Sequence, residues 1–286
     1  MSSKKWIYGK NVVITGASSG LGFHIAKLLA SRYSCNIIGT GRSETKLIKA
    51  KEEIDKEVQR SKTKETEFYG SFNYKIFDVS NNEDWVLFKN YLNQINFKVD
   101  VVINNAGVML PFEKFETQKI EEVEALFKTN FFSHVYSYKT FIEDLKKNRG
   151  ALINISSSSA LCPVVGCAIY SASKAATKNF TEAIAVEHKK EVYISVVCPG
   201  FTKTELFRKE TKPSKFMDAF SMKAPKMAKK IVKGIVRKKK RMVFGTDAHF
   251  MSGLYRIAPK ATPSFVGWVL DKSKDPMFDK VFVDNK

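Results

Sequence analysis

The stretch Asn11-Val-Val-Ile-Thr15-Gly16-Ala17-Ser18-Ser19-Gly20-Leu21-Gly22 decides how the chain is to be read. Its first five residues form a β-branched run of strand length, and over residues 21–30 apolar side chains recur at helical spacing. A strand, a glycine turn and a helix in that order bring free backbone N–H groups and the positive helix end to one place, where a diphosphate can sit. Gly16 suits the tight turn, Gly20 the approach of phosphate to backbone, and Gly22 the close packing of helix on sheet. Ser18, Ser19 and Leu21 complete the cradle. Three residues separate the first two glycines, unlike G-x-G-x-x-G, so the signal lies in the loop's position between strand and helix.

Outward from this unit the pattern repeats. A second strand, residues 35–40, runs into Gly41-Arg42-Ser43, with no acid before Glu44. An acid there would hold a ribose 2′-hydroxyl, whereas Arg42, with Ser18 beside it, suits a 2′-phosphate, and so NADP rather than NAD. A charged helix is expected over 46–64. A third strand, 74–77, ends at Asp78-Val79, where a side-chain acceptor could take an adenine amino group. A fourth, 99–103, leads into Asn104-Asn105-Ala106-Gly107, whose small and amide residues let a cofactor lie close and brace the neighbouring strands. Residues 116–147 read as mostly helical, with Asn130 in mid-course, an unfavourable helix residue that is commonly a tolerated surface side chain. Strand 151–155 ends in Ser156 to Ser159, helix 168–188 follows, and strand 192–197 leads into Cys198-Pro199-Gly200-Phe201-Thr202-Lys203-Thr204. Strands alternating with helices imply an α/β chain, a three-layer doubly wound Rossmann-type fold with a parallel sheet of about seven strands. Every conspicuous cluster falls at a strand's carboxyl end, where ligands bind in open sheets of this kind.

Tyr170 and Lys174 stand four apart, so on a helix they share one face. Such a pair is commonly a solvated surface contact. It also suits acid-base chemistry, because a nearby ammonium favours the phenolate of a group that titrates near ~10.

Composition narrows the setting. The 286 residues are 44% hydrophobic and allow one large domain with an appendage. Met1-Ser-Ser-Lys-Lys leads directly into the first strand, which reads as no secretory leader, and no apolar run reaches the ~20 residues of a membrane span. Cys35, Cys162, Cys167 and Cys198 lack metal-ligand or redox spacing, so no metal is expected and reduced cytoplasmic thiols are the simplest account. The net charge of +19 is concentrated late: residues 203–260 hold 17 Lys and Arg against 4 Asp and Glu. A basic face of this kind is attractive to nucleic acid, anionic lipid or an anionic substrate, or is simply solvated. No nucleic-acid recognition motif accompanies it.

Taken together, Thr15-Gly16-x-x-x-Gly20-x-Gly22, Asn104-Asn105-Ala106-Gly107, Asn130, a serine thirteen residues before Tyr170, Tyr170-x-x-x-Lys174 and Pro199-Gly200 resemble the short-chain dehydrogenase/reductase family over residues 8–247. The resemblance implies hydride transfer between NADP(H) and a carbonyl or secondary alcohol by a constellation of Ser157, Tyr170, Lys174 and Asn130. Ser157 would orient the carbonyl, with Ser156, Ser158 and Ser159 close enough for a one-residue error. Tyr170 would act as general acid in reduction. Lys174 would lower the Tyr170 pKa and hold the nicotinamide ribose, and Asn130 would anchor a water relaying protons to Lys174. It further implies cofactor contacts from Asp78 and Val79, from Asn105, Ala106 and Gly107, and from Pro199, Gly200, Thr202 and Thr204. A homo-oligomer, dimer or tetramer, is also implied. A non-catalytic NADP-binding regulatory or scaffold protein is the alternative, against which stands the full set of catalytic positions.

Two segments lie outside these motifs. Residues 205–223 correspond to the family's variable substrate lid, and their Phe and Met suit a bulky apolar lipid, steroid or acyl substrate, or a lid packed on the body. An amphipathic helix over 227–236, the basic run 237–241 and a last strand over 242–245 follow. Residues 248–286 form an apolar, basic extension that either lies peripherally on an anionic membrane or packs on the sheet edge or a partner subunit.

Overall fold

The computed structural model describes residues 5–61, 69–204, 206 and 221–282. Strand β1 (Asn11–Thr15) occupies the centre because its three middle side chains are apolar and serve two faces. Val12 and Ile14 point into one core and Val13 into the other. On one side β1 pairs in parallel with β2 (Asn36–Gly41), which pairs with β3 (Ser71–Ile76). On the other it pairs with β4 (Val101–Asn104), followed by β5 (Ala151–Ile155), β6 (Tyr193–Pro199) and, beyond two short strands described below, β9 (Arg241–Phe244). The order is β3-β2-β1-β4-β5-β6-β9, all parallel. The direction of winding reverses between β1 and β4, which opens a crevice at their carboxyl ends.

Helices cover both faces. Helix α1 (Gly20–Tyr33) and α2 (Glu44–Arg60) lie on the face of Val12 and Ile14, as Ile25, Leu29, Ile54 and Val58 show. On the opposite face α3 (Asn82–Gln94) contributes Trp85, Phe88 and Leu92, a spacing that makes one apolar stripe. Asn81 caps α3 by accepting from the Glu83 N–H, and Glu83 and Asp84 sit in its first turn. No element is expected over these residues from the sequence. The helix's polar opening masks three buried apolar positions.

The helical stretch expected over 116–147 divides into α4 (Ile120–Phe127), a π-helical segment Lys128–Phe132, and α5 (Ser133–Lys147). Helix α6 (Ala168–Glu187) carries Tyr170 and Lys174 as expected. Strands β7 (Thr202–Lys203) and β8 (Met222–Lys223) pair with each other and so pin together the two ends of the expected lid, of which residues 205 and 207–220 lie outside the described residues. Helix α7 (Ala224–Val236) packs on α1. The basic run after it is a turn held from several sides. Lys238 lies over the Trp6 ring, and the Lys239 carbonyl accepts from Tyr193 Oη and Ser195 Oγ.

The chain closes with α8 (Thr246–Ile257), α9 (Ala261–Lys272) and the short α10 (Asp279–Phe282). The first of them contacts the edge strand β9. Met251, Leu270, Phe278 and Val281 join Phe112, Leu126, Cys162, Val164, Cys167 and Tyr170 in a third apolar cluster. No helix among the described residues is long and apolar enough to cross a membrane.

Trp85 is fully buried, donates Nε1–H to the Val79 carbonyl and meets Phe77, Phe88 and Phe141 edge-on. Trp85→Ala leaves a large cavity there, and a loss of about 3–5 kcal/mol is expected in urea unfolding.

Candidate active site

A cavity of about 490 Å³ occupies the crevice between the carboxyl ends of β1 and β4. Gly16, Ser18, Ser19, Gly20 and Leu21 form one wall. Gly16 and Gly20 both have positive φ, 65° and 56°, and a Cβ on Gly16 would lie 2.9 Å from Ala106 Cα. Ser19, the N-cap of α1, is extended and makes no side-chain cap bond, so the N–H groups of the first turn carry no side-chain partner there. Gly22 does not line the cavity. A Cβ there would stand 2.3 Å from the Gly16 carbonyl oxygen and 2.4 Å from Asn105 Nδ2, so its place among the cofactor contacts is corrected to one of packing.

The opposite rim is built from strand ends that are tied together. Thr15 Oγ1 accepts from the N–H groups of both Asn105 and Ala106, at 3.0 Å each, and Asn105 Nδ2 donates back to the carbonyls of Thr15 and Gly16. One layer deeper, Asn104 Nδ2 donates to Asn154 Oδ1, and Asn154 Nδ2 to Thr181 Oγ1 on α6. This ladder joins β4, β5 and α6 through buried polar groups, with Asn104 Oδ1 left without a partner among the described residues.

At one end of the cavity Arg42 and Lys46 stand with Ser18 and Ser43, and Asp78 and Val79 lie nearby. Asp78 Oδ1 accepts from the Ser80 N–H and hydroxyl, which fixes the carboxylate. Lys46 was not singled out from the sequence. The signal for it is the Ser43 N-cap, since Lys46 N is the donor to Ser43 Oγ and the first turn of α2 therefore faces the same rim as Arg42.

At the other end are Ser156, Ser157, Tyr170 and Lys174. The serines differ in their bonding: Ser156 Oγ donates to the Lys174 carbonyl at 2.7 Å, whereas Ser157 Oγ accepts from Ser159 N–H and acts to lower the pKa of the Tyr170 phenol. Ser158 and Ser159 are buried away from the cavity lining. Lys174 is buried, with Nζ donating to the Ile155 carbonyl at 3.3 Å, and burial pushes its ammonium down to about 8. Gly107 leaves room beside it, for a Cβ there would lie 3.2 Å from Nζ. Tyr170 departs from the expected lowering. Burial raises its phenol, because desolvation of the phenolate outweighs the lowering influence of the neighbouring Ser157 hydroxyl. At neutral pH the phenol therefore keeps its proton.

Asn130 is fully buried in the π segment and does not line the cavity. Its Oδ1 accepts from Val108 N–H and its Nδ2 donates to the Val108 carbonyl, both at 2.8 Å, and also to Ser173 Oγ. Its own carbonyl accepts from Thr177 Oγ1. The side chain thus holds the backbone after Gly107, and a Cβ on Gly107 would meet both Lys174 Nζ and Asn130 Oδ1, at 3.2 and 3.3 Å.

Pro199, Gly200, Thr202 and Thr204 close the cavity from the β6 side. Asp247, in the first turn of α8, accepts from the Phe201 N–H at 2.7 Å, and its carboxyl pKa is raised by burial. Cβ atoms on Gly200 or Gly245 would meet this carboxylate at 2.2 and 2.3 Å. Asp247 was also not singled out, although it is an acid shortly after the basic run 237–241 and two residues after Gly245.

A nicotinamide dinucleotide fits these residues: glycine positions that a Cβ would fill, an uncapped helix start, cations at one end and a buried Tyr–Lys pair at the other. Comparisons agree with this architecture. Residues 10–215 match the family model described as short chain dehydrogenase. The 11-beta-hydroxysteroid dehydrogenase-like 2 of Arabidopsis thaliana is 29% identical over 279 residues, covering 96% of this chain and 86% of its own. The 3-ketodihydrosphingosine reductase of Bos taurus is 32% identical over 261 residues, covering 86% and 74%. A short chain dehydrogenase/reductase from Burkholderia phymatum in complex with NAD superposes with a TM-score of 0.75 at 20% identity, covering 89% of this chain and 95% of that one. At that identity the likeness is one of fold.

The unfolded chain holds the Lys174 proton up to 10.5 and the folded chain only to about 8, so between these values the unfolded state binds more protons and stability rises with pH. Lys174→Met removes the buried charge. Its urea midpoint is expected above that of the parent at pH 7, with the difference shrinking as pH approaches 10.

Proposed function

Because the chain belongs to the short chain dehydrogenase family of oxidoreductases, we propose that it interconverts a carbonyl and a secondary alcohol on a bulky apolar substrate, with NADP(H) as the hydride carrier. The observation that carries this reading is that Ser157, Tyr170 and buried Lys174 all line the same end of the cavity. When bound, the nicotinamide supplies or accepts the hydride.

The protein's own share is position and proton. Ser157 Oγ would hold the substrate oxygen, and Tyr170 Oη, protonated at neutral pH, would give its proton to that oxygen as charge develops on it. In the direction of oxidation the same phenol would have to lose its proton first. Lys174 lies one helical turn along α6 and would stabilise the phenolate while it lasts. Asn130 keeps the Val108 backbone in place and so the floor of the cavity between Gly107 and Met109. Arg42 and Lys46 together favour the cofactor with the additional 2′-phosphate.

Support for an apolar substrate comes from the walls near Tyr170. Val108, Met109 and Leu206 line the cavity, and the first two pack on the apolar cluster that contains Tyr170. Two relatives are named for acting on a steroid and a long-chain sphingoid ketone, which are of the same bulk and character.

Tyr170→Phe should bind NADPH as the parent does and lose turnover by at least about 100-fold across a panel of steroid and long-chain ketones, followed by NADPH absorbance. Activity within a few-fold of the parent would refute the assigned role. Arg42→Asp should shift the ratio of kcat/KM with NADPH to that with NADH by about tenfold or more toward NADH. An unchanged ratio removes Arg42 from the cofactor site.

A further inference from the structure

The last two long helices each have an inner and an outer face. On α8 the inner positions Ala248 and Met251 are buried, while Phe250 and Ile257 are 60% and 85% exposed. On α9 Thr262, Gly267 and Leu270 are buried, while Phe265 and Trp268 are 42% and 57% exposed. The exposed positions are seven apart on α8 and three apart on α9, so each pair lies on one face of its helix. Phe265 and Trp268 stack, with ring centroids 6.0 Å apart, and thus present one continuous apolar surface. Four large apolar side chains on nineteen residues exceed the scattered exposure that a solvated surface carries.

Charge says what covers them. Over residues 246–282 the exposed cations are Arg256, Lys260, Lys272, Lys274 and Lys280, and the one exposed acid is Asp279. Asp247 and Asp275 are turned inward, and Asp271 has Lys274 at 4.0 Å. A second copy of the chain meeting this face would bring like charges together, which is unfavourable. Exposed Trp and Phe between Lys and Arg on amphipathic helices suit the boundary between anionic headgroups and acyl chains.

We propose that the outer faces of α8 and α9 dock the protein on an anionic lipid surface. The docking does not depend on the proposed reaction, but the two are adjacent. The inner faces of the same helices supply Met251 and Leu270 to the cluster that contains Tyr170, so one helical layer separates the surface from the catalytic end of the cavity.

The test uses the full chain and sedimentation with vesicles, of phosphatidylcholine alone or mixed with phosphatidylserine. Binding is expected on the mixed vesicles at low salt, falling as salt is raised, with the fluorescence of Trp268 shifted to the blue. Phe250→Ser/Ile257→Ser/Trp268→Ser and, separately, Arg256→Gln/Lys260→Gln/Lys272→Gln should each reduce the bound fraction by about tenfold or more at unchanged thermal midpoint. All six positions are exposed, so the fold should tolerate both sets. Absence of binding to mixed vesicles at low salt would overturn the proposal, as would equal binding by parent and variants. So would sedimentation equilibrium showing a dimer that the serine variant turns into a monomer.

Discussion

The Thr15 hydroxyl holds the crevice in shape. Placed at the end of the central strand, it accepts two backbone N–H groups from the residues that follow β4, and Asn105 returns two bonds to the carbonyls of Thr15 and Gly16. Strands that diverge at a change of winding direction leave backbone groups without sheet partners, and such groups must be satisfied elsewhere. Here they are satisfied by each other. Gly16 can then lie against Ala106, and Gly22 against Gly16, at distances no side chain would allow. The loop, the helix start and the far rim of the cavity are therefore one hydrogen-bonded object, set on the amide ladder of Asn104, Asn154 and Thr181.

At the other end of the cavity the same rigidity supports an unfavourable charge. Lys174 is buried with a single protein carbonyl at 3.3 Å, and its low pKa records how poorly the surroundings replace water. Tyr170, four residues before it, is shifted in the opposite sense by the same burial. One environment thus brings a cation and an acid closer to their neutral forms. Such pairs of displaced groups in a cleft mark working chemistry more often than structural support.

Much of this was legible because it rests on backbone geometry. A β-branched run, a glycine turn and a helix have few ways to fold, and the repeated strand–helix alternation leaves the carboxyl edge as the place for Asp78, Asn105, Ser157 and Gly200. What was not legible depends on contacts distant in sequence. Helix α3 hides three core residues behind a polar first turn. Asp247 acquires its meaning only when Gly200 and Gly245 fold around it. The separation of Ser156 from Ser157 rests on which hydroxyl meets α6, a matter of one residue at a strand end. The raised Tyr170 phenol was missed because spacing shows the ammonium nearby but not the depth of burial.

The π-helical turn at Lys128–Phe132 has a consequence for the helices on either side of it. One residue beyond the regular repeat turns everything after it by about 100° about the helix axis. Leu126 in α4 consequently faces the cluster around Tyr170, while Phe141, Ile142 and Leu145 in α5 face the sheet. A single rod is made to serve two cores that lie in different directions. Asn130, at the middle of the turn, sits where the phase changes, and its amide points sideways into the wall of the crevice. The extra residue acts as a gear between the part of the protein that holds together and the part that receives the substrate.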